Sequence, residues 1–156
     1  MQKKNISAYP HKSVTHNLQR KFDERMAALG PYEGVPKIAV ALSGGVDSLA
    51  LTFLAETWIK AQQGQLTLFH VDHQLRSESH LEALQLKRWM AKRGHTLHIL
   101  KWQFQEKPTT RIQERARDAR YALLDDACQK EGILHLLTGH HQEDDAETSL
   151  MRQDKK

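Results

Sequence analysis

The stretch Ser43-Gly44-Gly45-Val46-Asp47-Ser48 is the part of this sequence best suited to chemistry. Two adjacent glycines let the backbone turn tightly and come close to a ligand. Ser43 and Ser48 offer hydroxyls. A helix starting here would aim unpaired amides at the loop and so form an anion site. There is no Gly-Lys-Ser/Thr, so this is not a Walker A loop. Asp47 repels phosphate unless a cation lies between them. Mg²⁺ bridging a carboxylate and phosphate oxygens resolves that conflict. The competing reading is a plain strand-to-helix turn with Asp47 as a helix cap.

Charge marks two further regions. From His73 to Arg120 there are eleven Lys/Arg against five Asp/Glu. From Gly139 to Thr148 there are four acids, Glu143, Asp144, Asp145 and Glu147, and no Lys or Arg. A basic middle suits a polyanion, and an acidic cluster suits a metal or a cationic group. Both are also compatible with solvated helix faces. The single cysteine, Cys128, excludes an intrachain disulfide framework and any CxxC pair. It is expected in a helix, buried or half-buried. A reducing, cytoplasmic setting fits this usage. No apolar run approaches the roughly 18 residues of a membrane span.

These residues need elements to hold them. Residues 1–36 read as an N-terminal extension with a short helix over Asn17–Leu29, and residues 37–156 as one domain. Lys37–Leu42 is a short apolar, β-branched run and predicts a buried strand. Leu49–Gln62 predicts a helix, Leu66–Val71 a strand, Ser79–Lys92 a helix and Thr96–Trp102 a strand. Arg111–Lys130 predicts a long helix closed by Gly132, Ile133–Leu137 a strand, and Gln142 onward a further helix. Strands alternating with helices imply an α/β fold, a doubly wound parallel sheet with helices on both faces. Ligands in such sheets sit at the carboxyl ends of strands near a topological switch point. Ser43–Ser48, His70–Arg76 and Thr138–Glu147 all follow predicted strands and converge on one site. Trp58, Trp89 and Trp102 read as core or helix-face packing rather than as platforms for stacked bases.

The string Ser43 to Ser48 resembles the SGGxDS signature of the PP-loop, or N-type ATP pyrophosphatase, family. Three more stretches resemble the tRNA(Ile)-lysidine synthetase type within it. They are Val71-Asp72-His73-Gln74-Leu75-Arg76 with Ser79 and Glu82-Ala83, the helix Ile112 to Tyr121, and Leu137 to Arg152. The resemblance implies cleavage of ATP between its α and β phosphates. The wobble cytidine of a CAU-anticodon tRNA(Ile) is adenylated at its C2 oxygen, and free L-lysine then displaces AMP. It implies an ATP loop over Ser43, Gly44, Gly45, Val46, Asp47 and Ser48, with Asp47 on Mg²⁺ through the phosphates. It implies catalytic roles for Asp47, His140 and Asp144, with Asp144 holding the lysine amine and His140 or His141 assisting proton transfer. Arg76, Arg117 and Arg120 would meet phosphates or the tRNA backbone.

Alternatives remain open on the residues. Arg117 and Arg120 can pair with Glu114, Asp118 or Asp125 along a solvated helix. His140 and His141 with Asp72 and His73 can form a hydrolytic metal site, which would leave the glycine loop unexplained. Glu143 stands where the family usually has Asp or Asn, and Asp145 where it usually has Gln. Sulfur-inserting relatives generally depend on catalytic cysteines, and Cys128 lies outside any such motif. The family pattern continues past Arg152 while this sequence stops four residues later. An incomplete domain is therefore expected, either a lysidine-forming catalytic fragment or a module that binds ATP without turnover. Oligomeric state is not legible.

Overall fold

The computed structural model describes residues 11–139 and 151–152, with side chains from 15 to 139. Its elements run α1 (His11–Ala28), β1 (Lys37–Ala41), α2 (Val46–Ala61), β2 (Gln65–Asp72), α3 (Ser79–Lys92), β3 (Leu97–Lys101), α4 (Ile112–Glu131), β4 (His135–Thr138) and β5 (Met151–Arg152). The chain divides into two compact units, residues 1–32 and 33–156. In the first, α1 is longer than its apolar spacing implies. Gln19 bonds Asp23 and Arg20 pairs with Glu24 one turn on, pairs that support a helix independently of an apolar stripe.

In the second unit the sheet order is β3-β2-β1-β4-β5. The first four strands are parallel, and β5 pairs antiparallel with β4 through His135↔Arg152 and Leu136↔Met151. This corrects the helix expected from Gln142 onward at the two positions described there, which are strand. The rest of that segment lies outside the described residues.

Alternation along β1 decides which helix covers which face. Ala39 and Ala41 point into a cluster with Phe69, Leu136 and Leu124, Ala127 and Cys128 of α4. Ile38, Val40 and Leu68, all fully buried, therefore face the other side, where α2 and α3 present Leu51, Ala55, Trp58, Ala83, Leu86 and Met90. Burial of such a Leu or Ile is worth on the order of 2 kcal/mol. Right-handed crossovers put α2 and α3 side by side and return α4 across the opposite face. Arg93 at the end of α3 joins the two neighbours, lying 4.4 Å over the Phe53 ring and 3.5 Å from Glu56. Trp58 is core and Trp102 packs edge-on against Phe104. Trp89 instead stands 51% exposed on α3, outside the packing expected of it.

The sheet order reverses between β1 and β4, since β2 and β3 extend one way and β4 the other. Their carboxyl ends thus flank the switch-point crevice. At the opposite end of α2, Gly64 turns the chain into β2 with its amide on Ile59 O, while Gln65 N bonds Pro36 O. A Cβ on Gly64 would collide with the Pro36 carbonyl and stand 2.5 Å from Ile59 Cδ1. Gly64→Ala should therefore cost about 1–3 kcal/mol, read as a lower urea midpoint at unchanged slope. Gly34→Ala, where an added Cβ meets nothing within 4 Å, is the control and should stay within about 0.5 kcal/mol of the parent.

Candidate functional site

The glycine loop closes on itself through one serine. Ser48 Oγ, buried on the first turn of α2, donates to Gly45 O at 3.0 Å. A hydroxyl has one hydrogen, so its other contacts are accepted ones. Ser43 N–H donates to it at 3.1 Å, and the Ser43 hydroxyl, 2.9 Å away, supplies the hydrogen of that contact. Gly45 N–H in turn donates to Ser43 Oγ at 3.3 Å. The two hydroxyls expected to face a ligand are thus committed to shaping the loop. Gly44 turns at φ +90°, a conformation that L side chains rarely adopt.

Shaped this way, the loop presents amides. The first intrahelical bond of α2 runs from Leu49 N to Gly45 O, so Val46, Asp47 and Ser48 lack helical acceptors. Gly139, just past β4, borders the same turn. A Cβ there would lie 3.3 Å from Ser48 N and 3.4 Å from Asp47 C. Glycine at 139 keeps that amide uncovered. Asp47 is exposed on the first helical turn, and among the described residues no ion pair engages it. A free, hard carboxylate beside orphan amides is a donor set that fits a small oxygen-seeking cation together with phosphate.

The second wall comes from the end of β2. His70 Nδ1 lies 2.7 Å from Leu42 O, tying β2 to the residue that enters the loop. Desolvation by burial lowers the His70 pKa, with the Leu42 carbonyl and Asp72 pulling the other way. Asp72 is 1% exposed, accepts Gln74 N at 3.0 Å through Oδ1, and among the described residues has no hydrogen bond at Oδ2, which is 3.9 Å from His80 Nδ1. His70 does not stand out in the sequence as a functional residue beyond its cluster, and Asp72 does so only as a possible ligand of the alternative metal site. β2 runs to Asp72, one residue further than its apolar run, so strand alternation is the signal that places both.

A cavity of about 240 Å³ opens here, lined among others by Ser43, His70, Asp72, Arg76, Glu82 and Arg120. A second, of about 560 Å³, shares Val71, His73 and Arg120 with it and adds Gln113, Arg117 and Tyr121. Ser43, Arg76 and Arg120 thus border one space, and Arg117 and Arg120 another. Among the described residues no acid pairs with Arg117 or Arg120. Glu114 is taken by Arg111 at 2.8 Å, and Arg117 lies 5.8 Å from the Tyr121 ring centre. Arg76 bonds Glu82 at 3.0 Å, both exposed. His140, His141 and Asp144 lie outside the described residues. Among the described residues no three His, Cys, Asp or Glu converge as metal ligands. Cys128 is buried and its thiol is pushed up to about 11, so it stays protonated and unreactive. No described helix is long and apolar enough to cross a membrane.

Comparison with known proteins agrees with this geometry. The PP-loop domain profile matches residues 14–156. The chain is 40% identical over 136 residues to a tRNA(Ile)-lysidine synthase of Orientia tsutsugamushi (strain Boryong), covering 87% of this chain and 31% of that protein. It is 45% identical over 149 residues to one of Rhodopseudomonas palustris (strain ATCC BAA-98 / CGA009), covering 94% and 41%. The chain thus spans 31% to 41% of the length of these relatives. A solved structure, the U34-tRNA thiolase NcsA from Methanococcus maripaludis with its [4Fe-4S] cluster, superposes with a TM-score of 0.69 at 17% identity. It covers 85% of this chain and 48% of its own, a likeness of fold.

If Ser48 is the knot of the loop, Ser48→Ala strands Ser43 N–H and leaves Gly45 O with Leu49 N–H as its remaining donor. The expected loss is about 1–3 kcal/mol of stability, with faster amide exchange at Ser43 and Gly45 than elsewhere in α2. Unchanged exchange at both amides would show that the loop is held by other contacts.

Proposed function

We propose, from the premise that this chain belongs to the PP-loop domain family, that it is the ATP-handling part of a tRNA(Ile)-lysidine synthase. The observation that carries this reading is the amide-lined loop of Ser43–Ser48 at the switch point, with Asp47 beside it in no ion pair among the described residues. The orphan amides and the positive end of α2 receive the triphosphate. Asp47 would hold Mg²⁺ against the phosphates, which when bound supplies charge neutralisation for departing pyrophosphate. Arg76 and Arg120 border the adjoining cavity and neutralise further negative charge.

In the proposed reaction the C2 oxygen of the wobble cytidine attacks the α-phosphorus. The α–β phosphoanhydride bond breaks and pyrophosphate leaves. The amine of free lysine then attacks C2, the C2–O bond breaks, and AMP departs with the oxygen while the amine loses a proton. Asp144 would hold that amine, and His140 would take up the proton. The cavity at Arg117, Arg120 and Tyr121 offers cations and an aromatic face to the tRNA strand. Basic residues between Arg76 and Arg120 contribute binding that weakens with salt.

Calorimetric titration with ATP should give binding that strengthens when Mg²⁺ is added. Gly45→Asp, which puts a carboxylate where the backbone must approach phosphate, should weaken it at least tenfold. Unchanged affinity in that variant would remove the loop as the site. Asp47→Ala should retain most ATP affinity and lose its dependence on Mg²⁺. Nucleoside mass spectrometry after incubation with ATP, Mg²⁺, lysine and tRNA(Ile) separates two outcomes. Lysidine establishes the synthase reading, and ATP binding without lysidine leaves an ATP-binding module.

A further inference from the structure

Among the polar groups lining the cavity beside the glycine loop, His70 is one that the proposed chemistry leaves unused. It lines that cavity from β2. We propose that His70 selects the base of the nucleotide: anchored to Leu42 O through Nδ1, it accepts the exocyclic amine of adenine at Nε2. This inference rests on the reading of Ser43–Ser48 as an ATP loop.

The anchor carries most of the argument. A carbonyl only accepts, so Nδ1 holds the hydrogen of the 2.7 Å bond to Leu42 O. A neutral ring protonated there has its lone pair on Nε2. That atom has no partner among the described residues, and it is not among the buried unpartnered atoms. It is therefore open, and the space that His70 borders is this cavity. Leu42 immediately precedes Ser43, so the same bond sets both the loop entrance and the ring angle. A volume of about 240 Å³ is below the roughly 300–1,000 Å³ of sites that enclose a whole ligand. It suits the base end of a nucleotide whose phosphates lie on the adjoining loop, with Ser43 as the shared wall.

The electrostatic surroundings keep the acceptor available. Burial lowers the His70 pKa from the ordinary 6.5, so the ring is neutral at pH 7.5. The charged and titratable groups facing the cavity are Asp72 on the same strand, His73 and Arg76 after it, Glu82 on α3 and Arg120 on α4. The β1 side contributes only Ala41, Leu42 and Ser43. On β3 the register partner of His70 is Ile99, and Lys101 lies opposite Asp72. Adenine donates from its amine, whereas hypoxanthine presents an oxygen at the same position. An acceptor at Nε2 therefore favours ATP over inosine triphosphate.

The test titrates the 156-residue chain with each triphosphate and Mg²⁺ by calorimetry. At pH 7.5 ATP should bind about tenfold tighter than inosine triphosphate, the order expected when a placed acceptor loses its donor. His70→Asn keeps a donor where Nδ1 stands and has nothing where Nε2 stands. It should bring the ratio to about one while inosine triphosphate binding stays within about threefold. His70→Ala, lacking the anchor too, should weaken both. In the parent chain, protonation of His70, followed by its ring ¹⁵N shifts as the pH falls, turns Nε2 into a donor, so the preference should fall or invert as the ring titrates. A ratio near one in the parent at pH 7.5, with ATP bound, overturns the assignment of His70 alone. So does a preserved ratio in folded His70→Asn, whatever the acid series gives. Should His70→Asn fail circular dichroism, a preference unchanged after the ring ¹⁵N shifts show His70 protonated in the parent overturns it, and a preference lost with that protonation supports it. Absence of ATP binding by the parent overturns instead the loop reading on which this stands.

Discussion

A parallel sheet can expose a phosphate-sized arc of backbone amides only where something stops the chain from filling its own turn. In this protein that constraint is met by the Ser48 hydroxyl, which spends its one hydrogen on Gly45 O and accepts from Ser43 on both backbone and side chain. Both serine hydroxyls and the Gly45 carbonyl are thereby engaged within the loop and its helix. What remains without a partner among the described residues is the set of first-turn amides of α2, which face back toward the loop. Gly44 at positive φ and the bare Cα of Gly139 are the two backbone concessions that keep the arc open. The fold around it serves that opening. Alanines at 39 and 41 let α4 pack on one face, while the larger Ile38 and Val40 meet α2 and α3 on the other.

Charge is distributed around the arc by element rather than by sequence neighbourhood. The acid of the loop, Asp47, is exposed on α2 and in no ion pair among the described residues. The cations arrive from α4 and from the turn after β2, where Arg120 and Arg76 border one cavity. Arg117, one turn from Arg120, extends the basic lining into the larger cavity beside Tyr121. A polyphosphate with its cation and a strand of nucleic acid could thus share the carboxyl edge, each against its own wall. This division matches the proposed use of ATP on one wall and tRNA on the other.

Much of this layout is legible in the amino-acid sequence. The loop glycines, the β-branched run before them and the order of strands and helices are local signals, and local signals are what sequence carries well. Element ends are less so. α2 begins at Val46 rather than Leu49, because an exposed valine and an aspartate look like loop yet fit a first turn. Arg111 reads as the first helical residue, but it is the left-handed N-cap of α4, with its side chain on Glu114. The serines look like ligand groups by type, and only geometry shows their hydroxyls bonded to each other. His70 is hidden for a different reason. Its partner Leu42 is 28 residues away, a pairing that only the β1–β2 register creates. That no acid among the described residues pairs with Arg117 or Arg120 is equally undecidable from spacing, since Arg111 competes for the same glutamate.

The central claim is that the orphan amides at the start of α2, not a surface patch elsewhere, receive the triphosphate. Amide NMR of the ¹⁵N-labelled chain, titrated with Mg²⁺ and ATP, tests it most directly. The account predicts the largest shifts at Gly44, Val46, Asp47 and Ser48 and at Gly139, with smaller ones at His70 to Arg76. Shifts centred on another region while the amides of 44–48 stay unmoved would contradict it.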